Sequence, residues 1–94
     1  MIDKKLLEQI IWDYHITPEE FLDILHGRTS RGWLNREWAL VRAVERLQYY
    51  DLLELIPWEV LTVVWPGIRG RVWITHIREG LEYAIRRYTL SAAK

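Results

Sequence analysis

The stretch from Asn35 to Leu55 reads NREWALVRAVERLQYYDLLEL and lies in the middle of the chain. Its apolar residues Leu40, Val41, Val44 and Leu47 recur at separations of three, four and seven residues, which is typical of a helix with one buried face. No glycine or proline interrupts the stretch, and most of its residues favour helix. Because segments on both sides can pack against it, we take this helix as the organising element of the fold.

The composition predicts one folded domain. The chain has 94 residues, half of them hydrophobic, which is enough for a single core. Its formal net charge of zero provides no general attraction to nucleic acid or to an acidic membrane. The absence of cysteine excludes a disulfide framework, a thiolate metal site and a cysteine nucleophile. Since there is neither a signal-peptide pattern nor an apolar run long enough to span a membrane, we expect a cytoplasmic protein.

Charge is distributed unevenly along the chain. Residues 1–60 contain eleven acidic and seven basic side chains, whereas residues 61–94 contain two acidic and six basic ones. The first segment therefore has a formal charge of −4 and the second a charge of +4. Two interpretations remain open. The polarity orients a partner or a second copy of the chain, or the two ends of one small domain attract each other.

Start and stop signals predict helices on the N-terminal side of the central stretch. The first helix should span about residues 3–12. Thr17-Pro18-Glu19-Glu20 matches a capping box with proline at the first helical position, so a second helix should begin there. This helix should end at Gly27, which suits a left-handed C-terminal position. Asn35 is expected to cap the central helix.

Further signals predict helices on the C-terminal side. The central helix should end or bend near Tyr49-Tyr50, where Asp51 is expected to cap the next helix. Another short helix should start with Pro57 as its first residue and stop at Trp65, before Pro66 and Gly67. The last helix should run from about residue 68 or 71 to residue 88. The predicted fold is therefore all-α, a compact bundle of five to six helices with no sheet.

The last helix carries a seam that is expected to pack against another helix. Its apolar residues repeat in steps of three and four, as in a heptad pattern: Ile74, Ile77, Leu81, Ala84 and Tyr88. Gly80 weakens this helix relative to alanine. We therefore expect Gly80 to permit a close helix contact.

The three histidines do not predict a metal site. His15, His26 and His76 form no His-x3-His or Glu-x2-His pair that would place two ligands on one helical face. His26 lies in a predicted last helical turn, where the helix dipole favours a cation. We expect neither a metal nor a cofactor.

Arg71 and His76 form the sharpest candidate catalytic pattern. Their Arg-x4-His spacing resembles that of small all-helical ribonucleases of the HEPN type. The resemblance implies a phosphate-binding arginine and a histidine that acts as acid or base. Val72 follows the arginine where such motifs favour a polar residue, and about one match of this kind is expected by chance. A metal-independent ribonuclease is therefore an alternative function.

The loop GRTSRGW, residues 27–33, is basic and rich in turn residues. It lacks the Gly-x4-Gly-Lys order of a nucleotide-binding loop, so a solvated basic loop is the simpler interpretation. The candidate anion-binding residues are Arg28, Arg31 and Arg36. A weak nucleic-acid-binding domain is a further alternative, and it would use Arg28, Arg31, Arg69 and Arg71.

Aromatic residues are the main compositional anomaly, with six tryptophans and five tyrosines against one phenylalanine. Trp and Tyr combine a large apolar area with a polar atom, which suits core edges and protein interfaces. Stacking surfaces for nucleic acid need a denser basic groove than this chain offers. The predicted interface residues are Tyr49, Tyr50, Trp58, Trp65, Trp73, Ile74, Ile77, Leu81 and Tyr88.

Six short segments spread over most of the chain combine hydrophobic and capping positions. They are Ile11-Trp12-Asp13-Tyr14, Ile16-x-Pro18-Glu19, Leu25-x-Gly27, Val41-Arg42-x-x-Glu45-Arg46-Leu47, Leu53-x-Leu55-x-Pro57-x-Glu59 and Glu82-Tyr83-Ala84-x-Arg86-Arg87-Tyr88. Together they resemble a family of short, uncharacterised bacterial helical proteins. Such proteins are often encoded beside nucleotidyltransferase-like toxins of the AbiEii type and are suspected antitoxins.

The family resemblance implies an all-helical protein that acts on another protein, and it supplies no catalytic residues. We therefore predict a non-enzymatic protein–protein interaction module, the antitoxin-like partner of a nucleotidyltransferase-type toxin. The split charge and the aromatic surplus also favour a homodimer. We expect no membrane partner.

Overall fold

A computed structural model of the protein describes residues 4–92. Over this range the chain forms six α-helices and one short 3-10 helix, with no strand or sheet. The predicted all-α bundle of five to six helices is therefore confirmed. In chain order the elements are α1 (Lys4–Ile10), α2 (Pro18–Leu25), α3 (Arg36–Arg46), α4 (Tyr49–Leu55), α5 (Trp58–Ile68), the 3-10 helix (Arg69–Arg71) and α6 (Thr75–Ala92). The expected start of the first helix at residue 3 lies outside the described residues.

The core is built around α3, which contacts α1, α2 and α5. Leu40 and Val44 of α3 are buried, as their helical spacing predicts. Leu47 was also expected at the centre, but it is only half-buried because α3 ends at Arg46 and residue 47 is extended. The largest fully buried side chains come from several segments of the chain: Phe21, Ile24, Leu25, Val44, Ile56, Leu61, Ile68 and Val72.

Local capping interactions define the ends of α2 and the start of α3. The Glu20 amide donates to Thr17 Oγ1 at 3.1 Å, and the Thr17 amide donates to Glu20 Oε1 at 3.2 Å, which confirms the capping box. Gly27 follows α2 with a φ of +76°, a left-handed conformation that favours glycine. Asn35 Oδ1 accepts the Trp38 amide at 3.0 Å and caps α3 as predicted.

The break between α3 and α4 differs from its prediction. The sequence predicts an end or bend near Tyr49-Tyr50 and a cap from Asp51, whereas α3 ends at Arg46 and α4 begins at Tyr49. Gln48 occupies the N-cap position without a side-chain hydrogen bond, and Asp51 lies in the first turn of α4. Burial explains the earlier start better than a local cap does. Residues 52 and 55, three apart on the helix, both enter the core.

Helix α5 continues past its predicted stop signal. The sequence indicated an end at Trp65, whereas α5 runs to Ile68 with Pro66 inside it. An interior proline removes a backbone hydrogen bond and crowds the preceding turn, which costs about 3 kcal/mol. Burial of Ile68 near Trp65 offsets this cost, since burying one large aliphatic side chain contributes about 1.5–3 kcal/mol. Pro57 lies one position earlier than expected, at the N-cap.

Helix α6 begins and ends later than predicted. Residues 69–71 form the 3-10 helix, and completely buried Val72 anchors the segment before α6 in the core. Within α6, Ile77 packs against the core and Leu81 is buried, in agreement with the predicted seam. Ile74, the first residue of that seam, lies before α6 and is 38% exposed. A Cβ placed on Gly80 would meet no atom within 4 Å. The predicted close helix contact at Gly80 is therefore wrong within the described part of the chain.

Candidate interaction surface

Four aromatic side chains form a continuous row across the starts of α4 and α5 and the second half of α6. The ring centroids of Tyr50 and Tyr49 are 5.6 Å apart, and those of Tyr49 and Trp58 are 6.0 Å apart. Trp58 stacks on Tyr88 with centroids 5.1 Å apart and an angle of 12° between the rings. The hydroxyl of Tyr88 lies 3.5 Å from Glu59 Oε1. We call the four rings, Tyr50, Tyr49, Trp58 and Tyr88, the aromatic ladder.

Two rings of the ladder belong to the first residue of a helix. Tyr49 is the first residue of α4 and follows extended Gln48, while Trp58 is the first residue of α5 and follows extended Pro57. Trp58 is half-buried against the core, whereas Tyr49 is 44% exposed. Tyr50 is 82% exposed, so the ladder ends in solvent.

An apolar groove of about 240 Å³ adjoins the ladder. It lies among α3, α4 and the first turns of α6, and its lining is aliphatic: Val44, Leu47, Leu52, Ile77 and Leu81. Tyr49 and His76 also line the groove. Tyr49 therefore belongs to both features, and the aromatic ladder and the apolar groove form one surface.

The nine predicted interface residues separate into three groups. Six of them belong to the ladder or the groove: Tyr49, Tyr50, Trp58, Ile77, Leu81 and Tyr88. Trp65 is only 5% exposed and belongs to the core, so its place in the predicted interface is corrected. Trp73 and Ile74 are exposed residues of the segment before α6, and neither lines the groove.

Sequence reasoning missed three residues of the groove. Helical spacing assigned Val44 and Leu47 to the core rather than to a binding surface, and Leu52 was assigned to neither. The break after Arg46 opens the groove, because residue 47 is extended and α4 starts in a new direction. Gln48 was the available signal for the break, because it places a polar residue at the position where the spacing of Leu40 and Val44 would continue.

The candidate ribonuclease residues line different cavities. Arg71 donates to Glu37 Oε2 at 3.1 Å and lines a cleft beside α3, whereas His76 lines the apolar groove. A phosphate bound by Arg71 in the cleft beside α3 would therefore lie outside the apolar groove that His76 lines. This arrangement does not favour joint acid–base and phosphate-binding roles.

The three candidate anion-binding arginines bind acceptors of the same chain. Arg28 binds Asp23, with Nε 2.8 Å from Oδ1, and Arg31 NH1 lies 2.5 Å from Glu20 Oε2. Arg36 Nε donates to the carbonyl of residue 25 at 3.1 Å. The three candidate anion-binding side chains thus already have partners, which lowers the attraction of the loop for a phosphate. Arg69 is likewise paired, with Glu82.

A second cavity of about 330 Å³ lies beside α3. Its walls include Tyr14, Trp38 and Trp73, and its charged residues are Arg42, Glu45 and Arg71. Tyr14 and Trp38 meet edge to face with ring centroids 4.9 Å apart. We call this cavity the Glu45 cleft. It contains predicted interface residue Trp73 and shares no lining residue with the apolar groove.

Neither His15 nor His26 belongs to a cluster of ligands. Residues 4–92 contain no group of three or more histidine, aspartate or glutamate side chains arranged to hold a metal ion. None of the helices described in this range is long and apolar enough to cross a bilayer. In comparisons with known proteins, no protein-family model, no curated protein and no solved structure matches this chain.

Proposed function

We propose that the protein is a non-enzymatic interaction module that binds another protein through the aromatic ladder and the apolar groove. Tyr49 supports this proposal most directly, because it joins exposed rings and a preformed apolar depression into one surface. Tyr and Trp residues dominate the binding energy at many protein interfaces. They do so where their rings lie beside a pocket from which the partner excludes water.

The lining of the groove favours a helix as the element that binds there. Four of the five aliphatic residues come from three helices, α3, α4 and α6, and Leu47 lies between α3 and α4. An amphipathic helix fills such a groove with residues at i, i+3 or i+4, and i+7. The aromatic ladder would then contact the flank of the bound helix, where Tyr50 can keep its hydroxyl in water.

The partner in this proposal is a nucleotidyltransferase-type toxin encoded beside the protein. The six segments that resemble small partners of AbiEii-type toxins support this choice. The protein would act by covering a surface that the toxin needs, so the chain itself would catalyse nothing. A second copy of the chain is the other predicted partner, and the same exposed rings support self-association.

Introducing a charge into the ladder tests the proposal. Tyr50→Glu places a carboxylate at an 82% exposed position, so it should leave the fold intact while disfavouring an apolar contact. Val63→Glu is the matched control, because Val63 is 77% exposed on α5 and belongs to neither ladder nor groove. Each variant is co-expressed with an AbiEii-type nucleotidyltransferase, taken from the neighbouring gene where that gene encodes one, and the affinity of the purified pair is measured by calorimetry.

We expect wild type and Val63→Glu to bind alike and Tyr50→Glu to bind at least about tenfold more weakly. Growth rescue of cells that express the toxin should follow the same order. Light scattering across protein concentration provides the second readout, with Tyr50→Glu shifting any dimer toward monomer. A protein that is strictly monomeric and binds no neighbouring toxin would contradict the proposal, as would equal effects of the two substitutions.

A further inference from the structure

The carboxylate of Glu45 has no ion-pair partner among residues 4–92. Its Oε2 accepts the backbone N–H of Trp73 at 3.2 Å. It is half-buried and lines a cleft with three aromatic walls. A carboxylate in such surroundings gains from any cation that replaces the water it has lost.

The two arginines of the Glu45 cleft are already neutralised. Arg42 is paired with Asp13, and Arg71 is paired with Glu37. Among the charged residues that line the cleft, Glu45 is therefore the one without an ion-pair partner in residues 4–92. An anion entering the cleft would meet its negative charge and would have to displace Asp13 or Glu37 from its arginine. A cation has to displace nothing.

We propose that the Glu45 cleft binds the guanidinium group of an arginine side chain from a protein partner. Glu45 would accept hydrogen bonds from the guanidinium, and the rings of Trp73 and Trp38 would pack against it. Trp73 is 83% exposed at the mouth of the cleft, so one ring face is open to an incoming side chain. This site does not depend on the proposed function, because it shares no lining residue with the apolar groove.

Geometry within the cleft favours guanidinium over ammonium. The guanidinium carbon of Arg42 lies 5.0 Å from the centroid of the Tyr14 ring, so the cleft already contains one guanidinium packed on an aromatic face. A guanidinium is planar and weakly hydrated, so it can lie against an indole while its edge donates to a carboxylate. The cavity of about 330 Å³ leaves space for a second one.

Blocked amino acids test the proposal in solution. The ligands are Nα-acetyl-arginine amide and its uncharged isostere, Nα-acetyl-citrulline amide, titrated into the nitrogen-15-labelled full chain. We expect the arginine ligand to shift two signals of Trp73 to saturation: its indole N–H, and its backbone N–H, which donates to Glu45. The citrulline ligand should bind at least about tenfold more weakly, because it lacks the charge.

Glu45→Gln separates charge from structure. Glutamine retains an oxygen that can accept the Trp73 amide, so the segment before α6 should stay in place, as a thermal melt would verify. Binding of the arginine ligand should weaken at least about tenfold in this variant. Glu79→Gln, an exposed position on α6 outside the cleft, should bind like wild type.

Three outcomes would overturn the proposal. In the first, the citrulline ligand binds as well as the arginine ligand. In the second, the Trp73 signals respond to Nα-acetyl-glutamate amide and not to the arginine ligand, which would make the cleft an anion site. The third is the absence of any saturable shift with the arginine ligand. Tyr50→Glu should not affect this titration, so failure of the cleft and failure of the aromatic ladder are distinguishable.

Discussion

Arg42 links the N-terminal segment to α3 at the scale of single residues. Its Nε donates at 2.7 Å to the carbonyl of Ile10, the last residue of α1, which has no helical donor of its own. Its NH2 group binds Asp13, and its guanidinium lies over the ring of Tyr14. The side chain is only 13% exposed, so the two hydrogen bonds are partly shielded from water.

We expect Arg42→Met to lower the free energy of unfolding by about 1–3 kcal/mol, because the carbonyl of Ile10 would lose its donor while the apolar stem is retained. Urea unfolding followed by circular dichroism measures the change. Arg46→Met, an exposed position one turn later on α3, is the control and should change stability by no more than about 0.5 kcal/mol. Equal stability of the Arg42 and Arg46 variants would contradict this account.

At the scale of elements, two glycines have different roles at helix ends and interiors. Gly27 ends α2 with a φ of +76°, where a side chain would be strained. Gly80 lies inside α6, and a Cβ there would meet no atom within 4 Å. The fold therefore requires the first glycine and has no need of the second. Burial also explains the length of α5, which continues through Pro66 because Ile68 packs into the core.

Alanine substitution should change stability in opposite directions at the two glycines. Gly80→Ala should raise the free energy of unfolding by about 1 kcal/mol, since alanine loses less backbone entropy in a helix. Gly27→Ala should lower it by about 1–2 kcal/mol, because a left-handed backbone is unfavourable for alanine. Thermal and urea unfolding check both values. A loss of stability in Gly80→Ala would show that something contacts this face of α6.

At the scale of the whole molecule, long-range contacts join the two oppositely charged segments. Arg71 of the basic segment binds Glu37 of the acidic segment, and the Trp73 amide donates to Glu45. Part of the charge polarity is thus neutralised inside one chain. This favours the interpretation that the two ends of one small domain attract each other. The Arg71–Glu37 pair is exposed on both sides, so it contributes no more than about 1 kcal/mol.

The same tertiary arrangement predicts the result of a nuclease assay. Because Arg71 and His76 line different cavities, we expect wild type and His76→Ala to leave structured RNA equally intact. Gel analysis of labelled RNA without added metal measures this. Cleavage by wild type that is lost in both His76→Ala and Arg71→Ala would contradict the expectation and would favour the HEPN-like alternative.

Much of the fold was determined by the sequence alone, because its signals act over short distances. The caps at Thr17 and Asn35 and the left-handed turn at Gly27 involve atoms only a few residues apart. Helical spacing also identified Leu40 and Val44 as core residues. The predicted helix boundaries were wrong where a distant contact outweighed a local signal. One example is α5, which passes through Pro66 to bury Ile68.

Only the tertiary structure decided which aromatic residues face solvent and which of them meet. Trp65 and Trp73 look equivalent in the sequence, yet one is in the core and the other is exposed. Tyr49, Trp58 and Tyr88 belong to three different helices and form one row because the starts of α4 and α5 meet the second half of α6. Helical spacing indicates that a side chain is on an apolar face. Burial depends on whether another segment covers that face, and that is determined by the packing of the complete chain.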